Sequence, residues 1–291
     1  MKIVSEYAYA KINISLDVLS KRDDGYHEMC MVMESLKLCD DVNITVSEGR
    51  GIISVKTDKD YLPNDNRNIA WKAADVFLKE QNITGYDVKI DIIKRVPVCA
   101  GMGGGSSDGA AVLRGLNTAF ETKLSVAALR KMGEKLGSDV PYCIAGGTDL
   151  ATGRGEILES LKTMPRCHVV VCKPEFSVST PELFKKIDRV KLKLHPDTNG
   201  IITALEEGDL TGVCRRMYNF FEDAGMNGYS EIQFVKGKLY DNGALGAVMS
   251  GTGSAVYGIF DCPEKAQSAY SSLKDAYKDC FLTELSERIE I

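Results

Sequence analysis

The sequence predicts an α+β protein with two domains. A chain of 291 residues is longer than one small hydrophobic core requires, and two modest domains suit it better. Stretches in which apolar residues recur at every second position lie among stretches of helical period, which indicates mixed strands and helices. The stretch "GGTDLATGRGE" interrupts these patterns near the middle of the chain. We therefore expect an N-terminal domain over residues 1–160 and a C-terminal domain over residues 161–291.

The first half reads as strands and helices in alternation. In "AYAKINISLDV" the apolar residues hold the even positions, which predicts a half-buried strand with Lys11 and Asn13 together on its other face. "SLKLCDDVNITV" and "GIISVKTD" continue as strands, "NIAWKAADVFLKEQN" has helical period, and "YDVKIDIIKRVP" is again a strand. A helix is then expected to begin near residues 106–108. "SVAALRKMGEKLG" predicts a further helix, with Ser125 as N-cap and Gly137 as C-cap.

The second half continues the mixed pattern. "CHVVVCKP" predicts a buried strand, and a polar region over residues 181–222 is typical of helices. "GALGAVMSGTGSAVYGIF" predicts two apolar strands joined by a glycine-rich turn. Both halves therefore combine strands with helices.

Composition excludes several kinds of partner. Apolar residues make up 44% of the chain and charged residues 26%, as in ordinary soluble proteins. The formal net charge is -5, and no block of Lys and Arg resembles a nucleic-acid or membrane-binding stripe. Nine cysteines without a C-x-x-C pair indicate neither a zinc site nor a disulfide framework. Without a signal-like N-terminus or a long apolar run, we expect a cytoplasmic protein, a monomer or weak homodimer, that binds neither nucleic acid nor membrane.

The most informative stretch is "VPVCAGMGGGSSDGAAVLRGLN", residues 96–117. It places a glycine-rich loop between a predicted strand and a predicted helix. Backbone N–H groups at a helix start have no partner within the helix, and the helix dipole favours negative charge there. Glycines let the backbone close around a phosphate, which side chains would obstruct. The stretch therefore predicts a phosphate-binding site.

Two other interpretations of this stretch are open at this point. It could be a mobile loop ahead of a capped helix. Alternatively, "GSSDG" matches G-x-S-x-G, so Ser107 could be the nucleophile of an α/β-hydrolase, with His168 or His195 as its base. The hydrolase motif does not require the additional glycines upstream.

Further signals are weak when each is taken alone. Asp139, followed by Pro141, is typical of a helix N-cap. Lys11 is typical of a solvated strand residue, and "DDGYHE" of a polar turn, although it sets a stackable ring beside an imidazole. "SGTGS", residues 250–254, is either a tight hairpin or a second lining of the phosphate pocket.

Taken together, three blocks resemble the signature motifs of the GHMP kinases. They are "AYAKINISLDVL" with "DDGYHE", then "VPVCAGMGGGSSDGAA", then "MSGTGSAVYGIF". Within that superfamily, "AKIN", "DGYH" and "GSDVPYCIAGGT" are similar to the kinases that act on a CDP-linked methylerythritol. The resemblance covers nearly the whole chain. It implies an N-terminal domain like the second domain of ribosomal protein S5, a ferredoxin-like C-terminal domain, and an active site between them.

The resemblance also implies an activity and a role for particular residues. ATP, with Mg²⁺, would phosphorylate the 2-hydroxyl of the CDP-linked alcohol. Asp139 would accept the hydroxyl proton, and Lys11 would stabilise negative charge. Asn68 would lie near the nucleotide and Ser107 would contact Mg²⁺. The loop that would hold the phosphates comprises Pro97, Val98, Cys99, Ala100, Gly101, Met102, Gly103, Gly104, Gly105, Ser106 and Ser107.

On the substrate side, the resemblance implies that Tyr26 stacks on cytosine and that His27 reads its polar edge. Phe184 would cover the other face of the base, with Thr180 nearby, and Asn13 would join Lys11 near the methylerythritol.

Three positions depart from the family pattern, namely Cys99, Thr252 and Ser254. Ser254 stands where proline is frequent, so the backbone of that loop is less constrained. The alternatives are a GHMP kinase for another small alcohol, such as homoserine or mevalonate, and a non-catalytic nucleotide sensor on the same scaffold. The stackable residues of "DDGYHE" argue against the first, and the pairing of Lys11 with Asp139 against the second.

Overall fold

The structure is a computed structural model that describes residues 1–188, 194–223 and 229–291. Within those ranges it contains two β-sheets flanked by helices, and the predicted α+β class is confirmed. None of the helices in the described ranges has the length and apolar character needed to cross a membrane.

The first sheet has seven strands among the described residues and is built mainly from the first half of the chain. Its main path runs β3-β4-β2-β1-β8, and β5 pairs with the other end of β2 and carries β6. All pairs are antiparallel except β3 with β4 and β1 with β8. The strands are β1 (Lys2–Lys21), β2 (His27–Glu48), β3 (Ile53–Thr57), β4 (Tyr86–Ile93), β5 (Asp149–Gly153), β6 (Ile157–Ser160) and the short β8 (Tyr218–Asn219).

Four helices belong to the first half; the first, second and fourth pack against this sheet, and the third packs against these helices. They are α1 (Ile69–Glu80), α2 (Gly104–Phe120), α3 (Val126–Gly133) and α4 (Val140–Ala145). Ser125 caps α3 through its side-chain oxygen, so this predicted N-cap is confirmed, and Asn68 caps α1 in the same way. Helix α2 begins at Gly104, two residues before the predicted start. The predicted C-cap at Gly137 is wrong, because α3 already ends at Gly133 with Glu134 as its cap.

Within the described ranges, the second sheet has four antiparallel strands in the order β11-β7-β10-β9. In chain order its elements are β7, α9, β9, β10, α10 and β11, which is the split βαβ pattern of ferredoxin-like folds. The bounds are β7 (His168–Lys173), α9 (Tyr229–Asp241), β9 (Gly246–Met249), β10 (Val256–Phe260), α10 (Pro263–Leu273) and β11 (Asp279–Glu284). Both strands predicted around the "SGTGS" turn are therefore confirmed as β9 and β10.

Short helices connect β7 to α9. They are α5 (Thr180–Ile187), α6 (Thr198–Glu207), α7 (Leu210–Cys214) and α8 (Phe220–Asp223). Asp197 caps α6 and Asp209 caps α7, each accepting a hydrogen bond from the backbone N–H of the third residue of its helix.

Strand β1 packs against both halves of the molecule. Its apolar residues Ala10, Ile12 and Ile14 belong to the core that also contains residues of the second sheet, and the Tyr257 hydroxyl donates to the Asn13 carbonyl at 2.7 Å. Lys11 and Asn13, on the other face, are also buried. The prediction of a half-buried strand is therefore wrong, because both faces of β1 are covered.

The chain finally returns from the second sheet to the first. After β11, Leu285 bridges to Leu36 in β2, and the Ser286 N–H donates to the Ser35 carbonyl at 2.8 Å. The Ile289 N–H then donates to the Ala145 carbonyl at 2.8 Å. These last residues lie against β2 and α4, so the segment after the second sheet packs back onto the first half of the chain.

Candidate active site

A cavity of about 1090 Å³ lies between the two halves of the molecule. Both glycine-rich loops line it, together with the ends of β1 and β2 and the helix α5. The predicted site residues that line it are Lys11, Tyr26, His27, Asn68, residues 97–106, Asp139, Thr180 and Phe184. Asn13 and Ser107 do not line it; both side chains are buried behind its wall. Nearly all the residues chosen from the sequence therefore converge on one cavity.

The glycine loop, residues 97–107, ends in an open helix start. Gly101 and Gly103 have φ values of 74° and 69°, which glycine adopts without strain. Gly103 is the N-cap of α2 and supplies no side-chain acceptor, and the first helical bond runs from the Ser107 N–H to the Gly103 carbonyl at 2.8 Å. The N–H groups of Gly104, Gly105 and Ser106 are consequently not used inside the helix. This geometry suits an anionic ligand.

The loop over residues 250–254 packs against the glycine loop, backbone to backbone. The Ser250 hydroxyl donates to the Gly101 carbonyl at 2.9 Å, and the Ala255 N–H donates to the Ala100 carbonyl at 3.1 Å. A Cβ atom on Gly101 would lie 2.0 Å from the Ser250 carbonyl oxygen. Gly101 is therefore required by this close approach as well as by its φ.

Asn219 fixes the 250–254 loop from behind. Its buried amide donates to the carbonyls of Met249 and Gly251, both at 2.8 Å, and its Oδ1 accepts from the Phe221 N–H. No pattern in the sequence marks this residue, because its partners follow it by 30 and 32 positions.

Lys11 and Asp139 meet at the centre of the cavity wall. The Lys11 ammonium donates to Asn13 Oδ1 at 2.7 Å and lies 3.7 Å from Asp139 Oδ2. The Lys11 N–H also donates to the Met102 carbonyl at 3.0 Å, which ties β1 to the glycine loop. Asp139 holds the N-cap position of α4, as its place in the sequence suggests, but its side chain makes no capping bond. Its carboxylate instead faces Lys11.

A buried ion cluster that sequence reasoning missed lies beneath the start of α2. The Lys94 ammonium contacts the carboxylates of Asp40 and Asp108, the latter at 2.6 Å. Asp40 also accepts the Val96 N–H at 2.8 Å, which holds the chain entering the glycine loop. Burial raises the pKa of the Asp108 carboxyl, and Lys94 offsets part of that effect. The cluster fixes the loop from its inner side.

The other end of the cavity carries aromatic side chains. The rings of His27 and Phe184 lie 4.7 Å apart, and Phe184 meets Phe221 edge to face at 5.2 Å. The Nε2 atom of His27 lies 2.8 Å from Asp188 Oδ1. Tyr26 is about half exposed, at 54%. Thr180, at the start of α5, pairs by hydroxyl with Thr252 of the 250–254 loop at 3.0 Å.

The hydrolase alternative has no support in the geometry. Ser107 is buried, and its hydroxyl donates to the Gly104 carbonyl at 2.9 Å. His168 begins β7 and lies beside Glu284, whereas His195 contacts Asp17 at 3.0 Å. Among the described contacts, neither histidine reaches Ser107, so no nucleophile and base are paired.

Fold and site together define a phosphotransferase with two domains. The model of the GHMP kinase N-terminal domain matches residues 68–147, and the model of the GHMP kinase C-terminal domain matches residues 201–279. The first range contains the glycine loop and Asp139, and the second contains the 250–254 loop.

Similar proteins narrow this class. A 4-diphosphocytidyl-2-C-methyl-D-erythritol kinase of Clostridium kluyveri is 44% identical over 276 residues, covering 95% of this chain and 98% of that protein. The crystal structure of a 4-(cytidine 5'-diphospho)-2C-methyl-D-erythritol kinase superposes with a TM-score of 0.80 at 30% identity, covering 97% and 99% of the two chains. A homoserine kinase from Cytophaga hutchinsonii, 18% identical with a TM-score of 0.75 and covering 99% and 96%, shares the fold. The chain therefore belongs to the 4-diphosphocytidyl-2-C-methyl-D-erythritol kinase family of the GHMP kinases.

Proposed function

We propose that this protein transfers the terminal phosphoryl group of ATP to the 2-hydroxyl of 4-diphosphocytidyl-2-C-methyl-D-erythritol. The products are the 2-phosphate and ADP, in the non-mevalonate route to isoprenoid precursors. One observation carries the proposal: a single cavity contains an open helix start, a Lys–Asp pair and a group of aromatic side chains. The names of near full-length relatives support the same activity.

The nucleotide binds at the glycine loop. ATP is the cosubstrate of GHMP kinases, and its phosphates suit the N–H groups of Gly104, Gly105 and Ser106 at the start of α2. Asn68 lines the same end of the cavity, where its side chain also caps α1. The Lys94 cluster and the 250–254 loop hold the glycine loop in this shape before ATP arrives.

Catalysis falls to Asp139 and Lys11. Asp139 accepts the proton of the attacking hydroxyl, and its carboxylate is about one-third exposed to the cavity. Lys11 is held by Asn13 at 2.7 Å, so its ammonium can stabilise both the carboxylate and the charge that develops during transfer. Most of the rate acceleration in phosphoryl transfer comes from such positioning and charge neutralisation.

Mg²⁺ accompanies ATP in this proposal and neutralises charge on the phosphates when bound. Among the described residues, no three His, Cys, Asp or Glu side chains are grouped to hold a metal. That arrangement fits an ion whose ligands come largely from phosphates and water. Asp108 Oδ1, one turn into α2, is a buried oxygen without a hydrogen-bond partner among the described residues. Ser107 as a contact to Mg²⁺ stays a prediction; its hydroxyl donates to Gly104 but keeps lone pairs.

The aromatic end takes the cytidine. Tyr26 stacks on the base, His27 hydrogen-bonds its polar edge, and Phe184 covers it from α5, with Thr180 beside it. Asn13 acts behind Lys11, because its buried side chain does not line the cavity. The division into domains at residues 160 and 161 stays a prediction.

A substrate panel tests the proposal. Purified protein with ATP and Mg²⁺ is incubated separately with the CDP-linked alcohol, mevalonate and homoserine, and the products are followed by ADP release and ³¹P NMR. Only the CDP-linked alcohol should acquire a phosphate monoester. Comparable turnover of mevalonate or homoserine would overturn the substrate assignment. ATP binding without turnover of any acceptor would instead identify a nucleotide sensor.

A further inference from the structure

Arg154 lines the cavity but belongs neither to the glycine loop nor to the Lys11–Asp139 pair. It lies in the turn between β5 and β6, flanked by Gly153 and Gly155, whose φ values are 69° and 114°. The Arg154 N–H donates to Glu156 Oε2 at 2.6 Å, and its Nε lies 3.3 Å from Glu156 Oε1. The turn therefore holds the stem of Arg154, while the outer nitrogens of the guanidinium donate no hydrogen bond to described residues.

The turn places this cation between the two ends of the site. The Arg154 guanidinium lies 5.1 Å from the centroid of the Tyr26 ring, a cation–π contact at the aromatic end. On the other side, a Cβ atom on Gly155 would lie 3.8 Å from the carbonyl oxygen of Ser138, the residue directly before Asp139. Arg154 thus stands beside the gap that separates Tyr26 from Asp139.

A CDP-linked alcohol carries a diphosphate that would lie in that gap. If the base lies at Tyr26 and the reacting hydroxyl at Asp139, then the diphosphate that joins them has to cross the part of the cavity next to Arg154. A planar guanidinium donates two parallel hydrogen bonds to phosphate oxygens, which an ammonium cannot do. Neither mevalonate nor homoserine offers a diphosphate at this place.

We propose that Arg154 binds the diphosphate of the substrate and so selects acceptors that carry a nucleoside diphosphate. This inference rests on the proposed function. Arg154 leaves one face of the Tyr26 ring for the base and covers the other. The residue acts in binding rather than in the chemical step, because Asp139 and Lys11 already supply the groups at the reacting hydroxyl.

Binding of substrate fragments tests the inference separately from turnover. Calorimetric titration with CDP, CMP and cytidine should show that the parent binds CDP more tightly than CMP. Arg154→Met should weaken CDP binding by about 10- to 100-fold, the usual size for loss of a charge-assisted pair, and leave cytidine binding within about threefold. Arg154→Lys should lie between the two, because it keeps the charge without the planar fork.

Kinetics give a second readout. Arg154→Met should raise the KM for the CDP-linked alcohol by a similar factor, with kcat and the KM for ATP within about threefold. Equal loss of CDP and cytidine binding would show that Arg154 only supports the Tyr26 ring and would overturn the inference. An unchanged preference for CDP over CMP in Arg154→Met would also overturn it. If CDP binding depends on Arg154 but the parent turns over no CDP-linked alcohol, the proposed function fails while the diphosphate site stands.

Discussion

Gly101→Ala tests the contact between the two glycine-rich loops. The new Cβ would lie 2.0 Å from the Ser250 carbonyl oxygen, where ordinary contacts begin at 3.4 Å, so the loops must separate by more than 1 Å. That movement breaks the hydrogen bonds from Ser250 to Gly101 and from Ala255 to Ala100, each worth about 1 kcal/mol. Holding alanine at a φ of 74° adds about 1–2 kcal/mol. We therefore expect the free energy of unfolding to fall by roughly 3–4 kcal/mol.

Gly105→Ala is the matched control in the same loop. Its Cβ would lie 3.5 Å from Ile69 Cδ1, which is an ordinary contact, and Gly105 is already in the first turn of α2. Replacing a helical glycine with alanine should leave stability unchanged or raise it by about 0.5–1 kcal/mol. The two variants thus make the same chemical change with opposite expected outcomes.

Urea unfolding followed by circular dichroism measures the free energy of unfolding of both variants, and steady-state kinetics give the KM for ATP. We expect Gly101→Ala to raise that KM at least about tenfold, because separating the loops displaces the backbone N–H groups of the phosphate site. Stability of Gly101→Ala within about 1 kcal/mol of the parent would refute the packing argument. A destabilised variant with an unchanged KM for ATP would refute the placement of the phosphates.

Three further predictions concern single side chains. Asp139→Asn should lower kcat by about 100-fold or more with little change in melting temperature, and a variant within a few-fold of the parent would remove Asp139 from the role of base. Burial raises the pKa of Glu34 to about 7, so the unfolded state loses its proton first and the parent becomes less stable as pH rises from about 4.5 to 7. The free energy of unfolding of Glu34→Gln, measured in urea, should therefore rise by about 2–3 kcal/mol relative to that of the parent when the pH is raised from 5 to 8. A difference between the two proteins that does not change with pH would contradict this. Asn219→Asp should place a carboxylate against the carbonyls of Met249 and Gly251. The free energy of unfolding should fall by roughly 2–4 kcal/mol, and by more at pH 8 than at pH 5. An equal fall at both pH values would show that the carboxylate does not face these carbonyls.

Local patterns predicted the elements that carry local signals. Ser125 caps a helix as its residue type suggests, and the two strands around "SGTGS" follow from their apolar runs. The alternation in β1 correctly separated Ile12 from Lys11, but it could not show that the polar face is buried as well. That burial comes from the glycine loop, which reaches Lys11 from about 90 positions further along the chain.

The missed residues depend on contacts between distant parts of the chain. Lys94 lies 54 positions from Asp40 and 14 from Asp108. No local sequence pattern extends over such separations, so the cluster could not be predicted. Asp139 was not missed: its own position suggested only a helix cap, and the resemblance to the kinases implied its role beside Lys11, but the contact between the two side chains is seen only in the fold. Gly137 has the residue type of a C-cap, but α3 ends earlier.

The return of the chain after β11 has a consequence for synthesis. Ser286 and Ile289 hydrogen-bond to Ser35 and Ala145, and Arg288 contacts the buried Asp149. The first half of the polypeptide emerges from the ribosome long before these partners have been synthesised. The backbone groups of the first sheet that bind them therefore stay unpaired until translation has passed residue 289. The pairing closes a loop of about 250 residues, from Ser35 to Ser286, and such long closures slow folding. The N-terminal half thus acquires its final form only after the C-terminal half has been made.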